Sequence, residues 1–205
     1  MKKFAKLCLT LLIVVFATRV SYGQMKNSSA ITHDTTLEKD AIELLVTPSN
    51  GKLGTRSYGI ADIRNYPFVT EVPYCIHKGI IYIYIDQNAD HTRNIDHDPR
   101  ISFLLSDDQH SSIPHAEPRI TLIGQAIKLT DKNELASAEV AYRQRFNYYD
   151  MFNGKIHKFV FYKLTVKRFR YNGGFGRAGW LNPKIINHDI ESKPYWVDNR
   201  QPGHM

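Results

Sequence analysis

Two extended segments joined by a very short turn constrain this chain more than any other feature. Tyr66 to Ile76 reads as one strand and Ile80 to Asp86 as the next, with only His77-Lys78-Gly79 between them. A three-residue connection ending in glycine makes a tight hairpin. The second segment is almost unbroken isoleucine and tyrosine, the pattern of a strand covered on both faces. The sheet built on it therefore needs a core on one side and a further layer on the other.

The rest of the chain supplies both. Thr35-Thr36-Leu37-Glu38 reads as a capping box, followed by Leu37, Ala41, Leu44 and Leu45 on one helical face, with Pro48 as the stop. Ser49-Asn50-Gly51 turns into a strand from Lys52 to Ser57. A short helix from Asp90 to His97 ends at Asp98-Pro99, and strands follow at Arg100 to Ser106 and Arg119 to Leu129, separated by a polar loop over 107–116. Asp131 to Phe146 is an amphipathic helix, with Leu135, Ala138, Tyr142 and Phe146 on its apolar side. Lys158 to Arg170 is the last long strand. Gly173-Gly174-Phe175-Gly176 follows a strand but opens no helix, so it reads as a chain reversal and not as a phosphate loop. Residues 182–205 read as an extended tail. Antiparallel strands with helices at the ends give an α+β fold around a small β-barrel.

The N-terminus is a targeting segment. Lys2, Lys3 and Lys6 precede an apolar run from Leu7 to Ala17 and a small-x-small site at Ser21-Tyr22-Gly23, so residues 1–23 are expected to be a signal peptide. The run is short for a bilayer span, and Cys8 has no lipobox around it, so no integral membrane segment is expected after cleavage. A periplasmic or secreted protein follows, with 24–34 as a flexible segment, 35–181 as the domain and 182–205 as the tail. Processing removes four cations and no acid, leaving 23 basic against 20 acidic residues. The formal charge then falls from +7 to +3, and without a basic, aromatic-interleaved stripe nucleic acid is not an expected partner. Cys75 alone survives processing, so no internal disulfide can form and the fold depends on its core. Within its strand, Cys75 reads as a buried apolar thiol.

The segment following Ile83-Tyr84-Ile85-Asp86 carries the chemistry. A strand runs into a polar loop and then into a helix whose first turn offers His91, Thr92, Arg93 and Asn94. Free N–H groups at a helix N-terminus suit an anion such as phosphate, and Arg93 adds a fork of donors. The plainer reading, that these residues cap and solubilise a short helix, leads on residue chemistry alone.

HTRNIDHDPRISFLL resembles the flavin-phosphate segment of the pyridoxamine 5′-phosphate oxidase-like split barrels. GIADIRNYPFVTEVPYCIHKGIIYIYI has their paired-strand layout, and PRITLIGQAIKL resembles the strand after their variable loop. FVFYKLTVKRFRYNGGFGRAGWL is similar to the end of HugZ-type members, which bind or degrade haem on the same barrel, and the secreted CREG proteins share the fold. The resemblance spans about residues 37–181. It implies a six-stranded antiparallel split β-barrel with flanking helices, a homodimer, and FMN at the subunit interface. Thr70, Val72 and Pro73 would lie along the isoalloxazine edge, and His91, Thr92, Arg93 and Asn94 around the phosphate. Arg177 and Trp180 would reach across from the partner. The Arg and Lys that the oxidases place on the first of these strands are missing around Val69 to Tyr74, which argues against pyridoxamine phosphate as substrate.

No general acid, base or nucleophile stands out, as befits a flavin protein, whose cofactor performs the redox step. The resemblance thus implies an FMN-binding protein and, if it is an enzyme, an FMN-dependent oxidoreductase. Two alternatives stand beside it: a HugZ-like haem-binding or haem-degrading protein, with His188 or His204 as the haem ligand, and a CREG-like secreted binding module without catalysis. The plainer reading of both histidines is a solvated tail. The tyrosines and phenylalanines, such as Phe159, Phe161, Tyr162 and Phe169, are expected to pack core and dimer interface.

Overall fold

The computed structural model describes residues 30–31, 33–106, 113, 116–149, 158–174 and 176–191. The expected signal segment, His204, and His110 and His115 of the polar loop lie outside them. Among these residues four α-helices and seven strands, besides a short 3-10 turn at Ala61–Ile63, follow in the order α1 (Thr35–Val46), β1 (Asn50–Arg56), β2 (Pro67–His77), β3 (Ile80–Asp86), α2 (Asp90–His97), β4 (Arg100–Ser106), β5 (Arg119–Lys128), α3 (Lys132–Arg145), β6 (Phe159–Asn172), β7 (Ala178–Leu181) and α4 (Pro183–Glu191).

Every strand pairing is antiparallel, in the order β3-β2-β1-β4-β5-β6-β7, and β3 also pairs with β6. That last pairing closes six strands into the expected barrel. Strand β6 is long enough to serve two neighbours on one edge. Its first half, from Phe159 to Leu164, pairs with β3, and its end, from Phe169 to Asn172, pairs with β7. Hairpin β2–β3 turns through Lys78 and Gly79, both at positive φ (48° and 73°), as a tight hairpin turn requires. Gly124 sits at the register shift between β5 and β6, where an added Cβ would lie 2.1 Å from the Thr165 carbonyl oxygen.

Alternation along the strands sorts side chains into two cores. Leu53, Val72, Tyr74, Ile83, Phe103, Leu122 and Phe169 fill the barrel, joined by Leu45 from α1 and Ile186 from α4. Outside the barrel, Cys75, Tyr82, Tyr84 and Phe161 meet Ala138, Ala141 and Tyr142 of α3. Strand β3 thus sends Ile81, Ile83 and Ile85 inward and Tyr82 and Tyr84 under α3, covered on both faces as its composition predicts. Cys75 is buried, and burial pushes its thiol up to about 12, which leaves it an inert packing group.

Two local readings change. The α1 cap is Asp34, one residue before the predicted capping box, and its carboxylate accepts from the Thr36 and Leu37 amides at 2.9 and 3.2 Å. A short anionic side chain suits the positive helix end, and Glu38 meets His33 at 3.2 Å instead of reaching back. The predicted extended tail begins instead as α4. Asn182 Oδ1 accepts from the Lys184 amide at 3.0 Å, Pro183 takes the first helical position, and Ile186 and Ile190 bury one turn apart. The glycine-rich segment is the expected reversal, closed by the Gly173 amide donating to the Arg177 carbonyl at 2.7 Å.

Candidate functional site

A cavity of about 270 Å³ opens where β2, β3 and α2 meet the outer aromatic layer. Strand β2 contributes Glu71, Val72 and Pro73, and β3 contributes Tyr84, Ile85 and Asp86. Helix α2 adds His91, while Tyr142, Tyr148, Tyr149 and Phe159 form the aromatic wall. The rings brace one another: Tyr84 stacks on Phe161 at 4.4 Å and meets Phe159, Tyr149 and Tyr142 at 5.0, 5.2 and 5.3 Å between centroids. Such a wall offers flat apolar faces with polar edges. Burial raises the Tyr84, Tyr142 and Tyr149 phenols above their usual range, so all three stay neutral at physiological pH.

His91 connects this wall to β2. Its Nδ1 lies 3.3 Å from Thr70 Oγ1, and its Nε2 is buried without a hydrogen-bond partner. Burial lowers the imidazole's pKa, with Asp90 and Asp86 pulling weakly the other way, so the ring is neutral at pH 7.

The structure brings Val72, Pro73 and His91 into the lining of one cavity, with Thr70 in contact with His91. Of the rest of the predicted phosphate cluster, Thr92 and Asn94 turn their side chains into the protein. Thr92 is fully buried and donates to the Asp86 carbonyl at 2.6 Å. Asn94 is buried too, accepting from the Tyr58 amide at 2.7 Å and donating to Thr55 Oγ1 at 3.0 Å. Arg93 is exposed and held by Asp90 and the Asn88 carbonyl. Within one chain Arg177 pairs with Asp40 of α1, and Trp180 lies under the Arg170 guanidinium at 5.5 Å. His188 is exposed on α4, 3.4 Å from Asp189. The aromatic wall and the two carboxylates are missed by the sequence reading, which takes the rings as packing alone. Alternate placement of Tyr82 and Tyr84 opposite the isoleucines was their one visible signal.

A closed six-stranded barrel with an outer helical layer and a cavity at the β2–β3 edge defines the split-barrel class. The family model described as CREG, beta-barrel, matches residues 39–188, and the chain belongs to that family. No curated protein matches. Among solved structures, the chain is similar to a haem-binding protein from Mycobacterium smegmatis at 25% identity and a TM-score of 0.66, covering 76% of this chain. This chain spans 62% of that protein's length. HutZ, a haem storage protein of Vibrio cholerae, is 22% identical with a TM-score of 0.55, over 64% of this chain and 90% of its own. A Clostridium acetobutylicum protein related to general stress protein 26, of the pyridoxinephosphate oxidase family, has a TM-score of 0.56 at 13% identity, over 75% and 99% of the two chains.

Proposed function

We propose that this protein is an exported, dimeric haem-binding member of the split-barrel family, with the cavity beside His91 as its ligand site. The observation that carries this reading is the cavity lining itself: mutually packed aromatics, the neutral His91 imidazole, whose enclosed Nε2 has no hydrogen-bond partner, and, among the described lining residues, no lysine or arginine. An aromatic wall suits the face of a tetrapyrrole, and an imidazole nitrogen is the commonest protein ligand for haem iron. The similarity to the Mycobacterium smegmatis haem-binding protein supports the same reading. When bound, haem would supply iron chemistry. This chain's part is to bury the ring against Tyr84, Tyr149 and Phe159 and to present His91.

The FMN reading is the second, favoured by the presence in one cavity lining of Val72 and Pro73, which the resemblance places at the flavin edge, and His91, which it places near the phosphate. Its weak point is the phosphate, for which the described lining residues supply no cation. No helix among the described residues is long and apolar enough to cross a membrane. Export rests on residues 1–23, and a mature N-terminus read after Gly23 in secreted material tests it.

The deciding experiment is titration of the purified mature chain with haemin and with FMN. A saturable Soret band at one haem per subunit is the expected result. Saturable FMN uptake without a Soret band would move the assignment to the flavin, and uptake of neither would leave a CREG-like binding module without a cofactor.

A further inference from the structure

We propose that the cavity takes a flat aromatic ligand lacking a phosphate, with Glu71 and Asp86 acting as a charge filter. This rests on the placement of the ligand in that cavity, and it adds what the site rejects. A phosphate needs either a cation or several free N–H and O–H donors. At the first turn of α2, each side chain that could serve is engaged elsewhere: Thr92 by the Asp86 carbonyl, Asn94 by Tyr58 and Thr55, Arg93 by Asp90 and Asn88. The helix opens with Asp90, so a carboxylate already occupies its positive end.

The lining reinforces this. Among the described lining residues, Glu71 and Asp86 contribute two carboxylates, beside the His91 imidazole and otherwise apolar and phenolic groups. Asp86 is anchored by the Asn88 amide at 2.8 Å, which fixes its charge at the end of β3. His91, the one described lining residue able to gain a positive charge near neutrality, is kept neutral by burial. Apolar walls lower the local dielectric, so a phosphate dianion brought near these carboxylates is repelled more strongly than in open water. An aromatic ring meets no such opposition when it carries no charge, or when its charged groups reach open water, as haem propionates would have to do here.

Riboflavin and FMN form the controlled pair, since they share the ring and differ by the phosphate alone. Equilibrium titrations of the mature chain, followed by flavin fluorescence at low ionic strength, should show riboflavin binding at least about fivefold more tightly than FMN, the scale of one or two partly exposed charge interactions. Raising the salt should shrink that ratio. Glu71→Gln, at an exposed position that carries no folding risk, should shrink it too, and Glu71→Gln with Asp86→Asn should shrink it further. FMN binding as tightly as riboflavin would overturn the proposal, and so would a failure to bind either flavin. Haem uptake without flavin uptake would overturn this inference while leaving the haem assignment intact. Riboflavin preference without haem uptake would do the reverse.

Discussion

His91 and Thr70 hold the cavity wall to the barrel: the imidazole Nδ1 lies 3.3 Å from the threonine hydroxyl, and this contact leaves Nε2 buried and unmatched on the other side of the ring. A buried polar atom without a partner costs stability, and it persists here because the ring closes the gap between α2 and β2.

The burial of His91 gives its protonation a predictable sign. Its pKa in the folded chain lies below the ordinary 6.5, so the unfolded chain binds the proton more tightly. The neutral ring's contribution is fully present above about 6.5 and is lost as pH falls toward the folded value. His77, also lowered by burial and by Lys78, acts in the same direction. Urea unfolding between pH 7.5 and 5 should show falling stability in the wild-type chain and a shallower fall in His91→Gln. Identical slopes in the two proteins would remove His91 from the account.

Asn94 is expected to matter for folding before it matters for any ligand. Its amide ties α2 to β1 through Thr55 and to the following loop through the Tyr58 amide. Asn94→Ala strands the Tyr58 amide and takes from Thr55 Oγ1 its donor, leaving that hydroxyl only its bond to the Phe68 carbonyl, at a cost of about 2–3 kcal/mol. Arg93→Ala, at an exposed ion pair, should cost under about 1 kcal/mol. Urea midpoints of the two variants test the contrast, and equal losses would contradict it.

That contrast marks where the sequence stops being informative. Strand β3, α2 and β4 fall at the residues the pattern assigns, because hairpin glycine, proline stops and isoleucine runs act locally. His91, Thr92, Arg93 and Asn94 look alike as a polar run at a helix start. Which of them points inward is decided by packing against β1 and β3, and only burial distinguishes fully enclosed Thr92 from exposed Arg93. The aromatic wall is harder still to foresee. Tyr84, Tyr142, Tyr149 and Phe159 are scattered along the chain and meet only once α3 docks on β3 and β6. Helix α4 was readable in principle, from proline at its start and isoleucines four apart, but the polar residues around them suggest open chain.

Helix α4 offers a direct measure of that misreading. Ile186 is fully buried in the barrel core, and the hairpin glycine Gly79 sits so close to α4 that a Cβ there would lie 2.7 Å from the Asn187 carbonyl oxygen. Ile186→Ala should therefore cost about 2–4 kcal/mol, the range for a buried isoleucine. Ending the chain after Asn182 should destabilise it further. Thermal or urea unfolding decides between this and a dispensable tail, for which both changes would be silent.

The proposed dimer has a specific surface to test. Val69, Gly54, Ser102 and Ile123 stand side by side in one row across β2, β1, β4 and β5. Val69 and Ile123, at the ends of the row, are 65% and 40% exposed, while glycine and serine between them leave a shallow trough. Exposed apolar residues framing small ones suit close packing of a second sheet face. Val69→Lys adds a charge at a position with little burial to lose, so it should leave the unfolding midpoint within about 0.5 kcal/mol of wild type. Light scattering after size exclusion should then report a dimer for the wild-type chain and a monomer for the variant. A variant that stays dimeric would place the subunit contact on another face, and a monomeric wild-type chain would remove the dimer from the assignment.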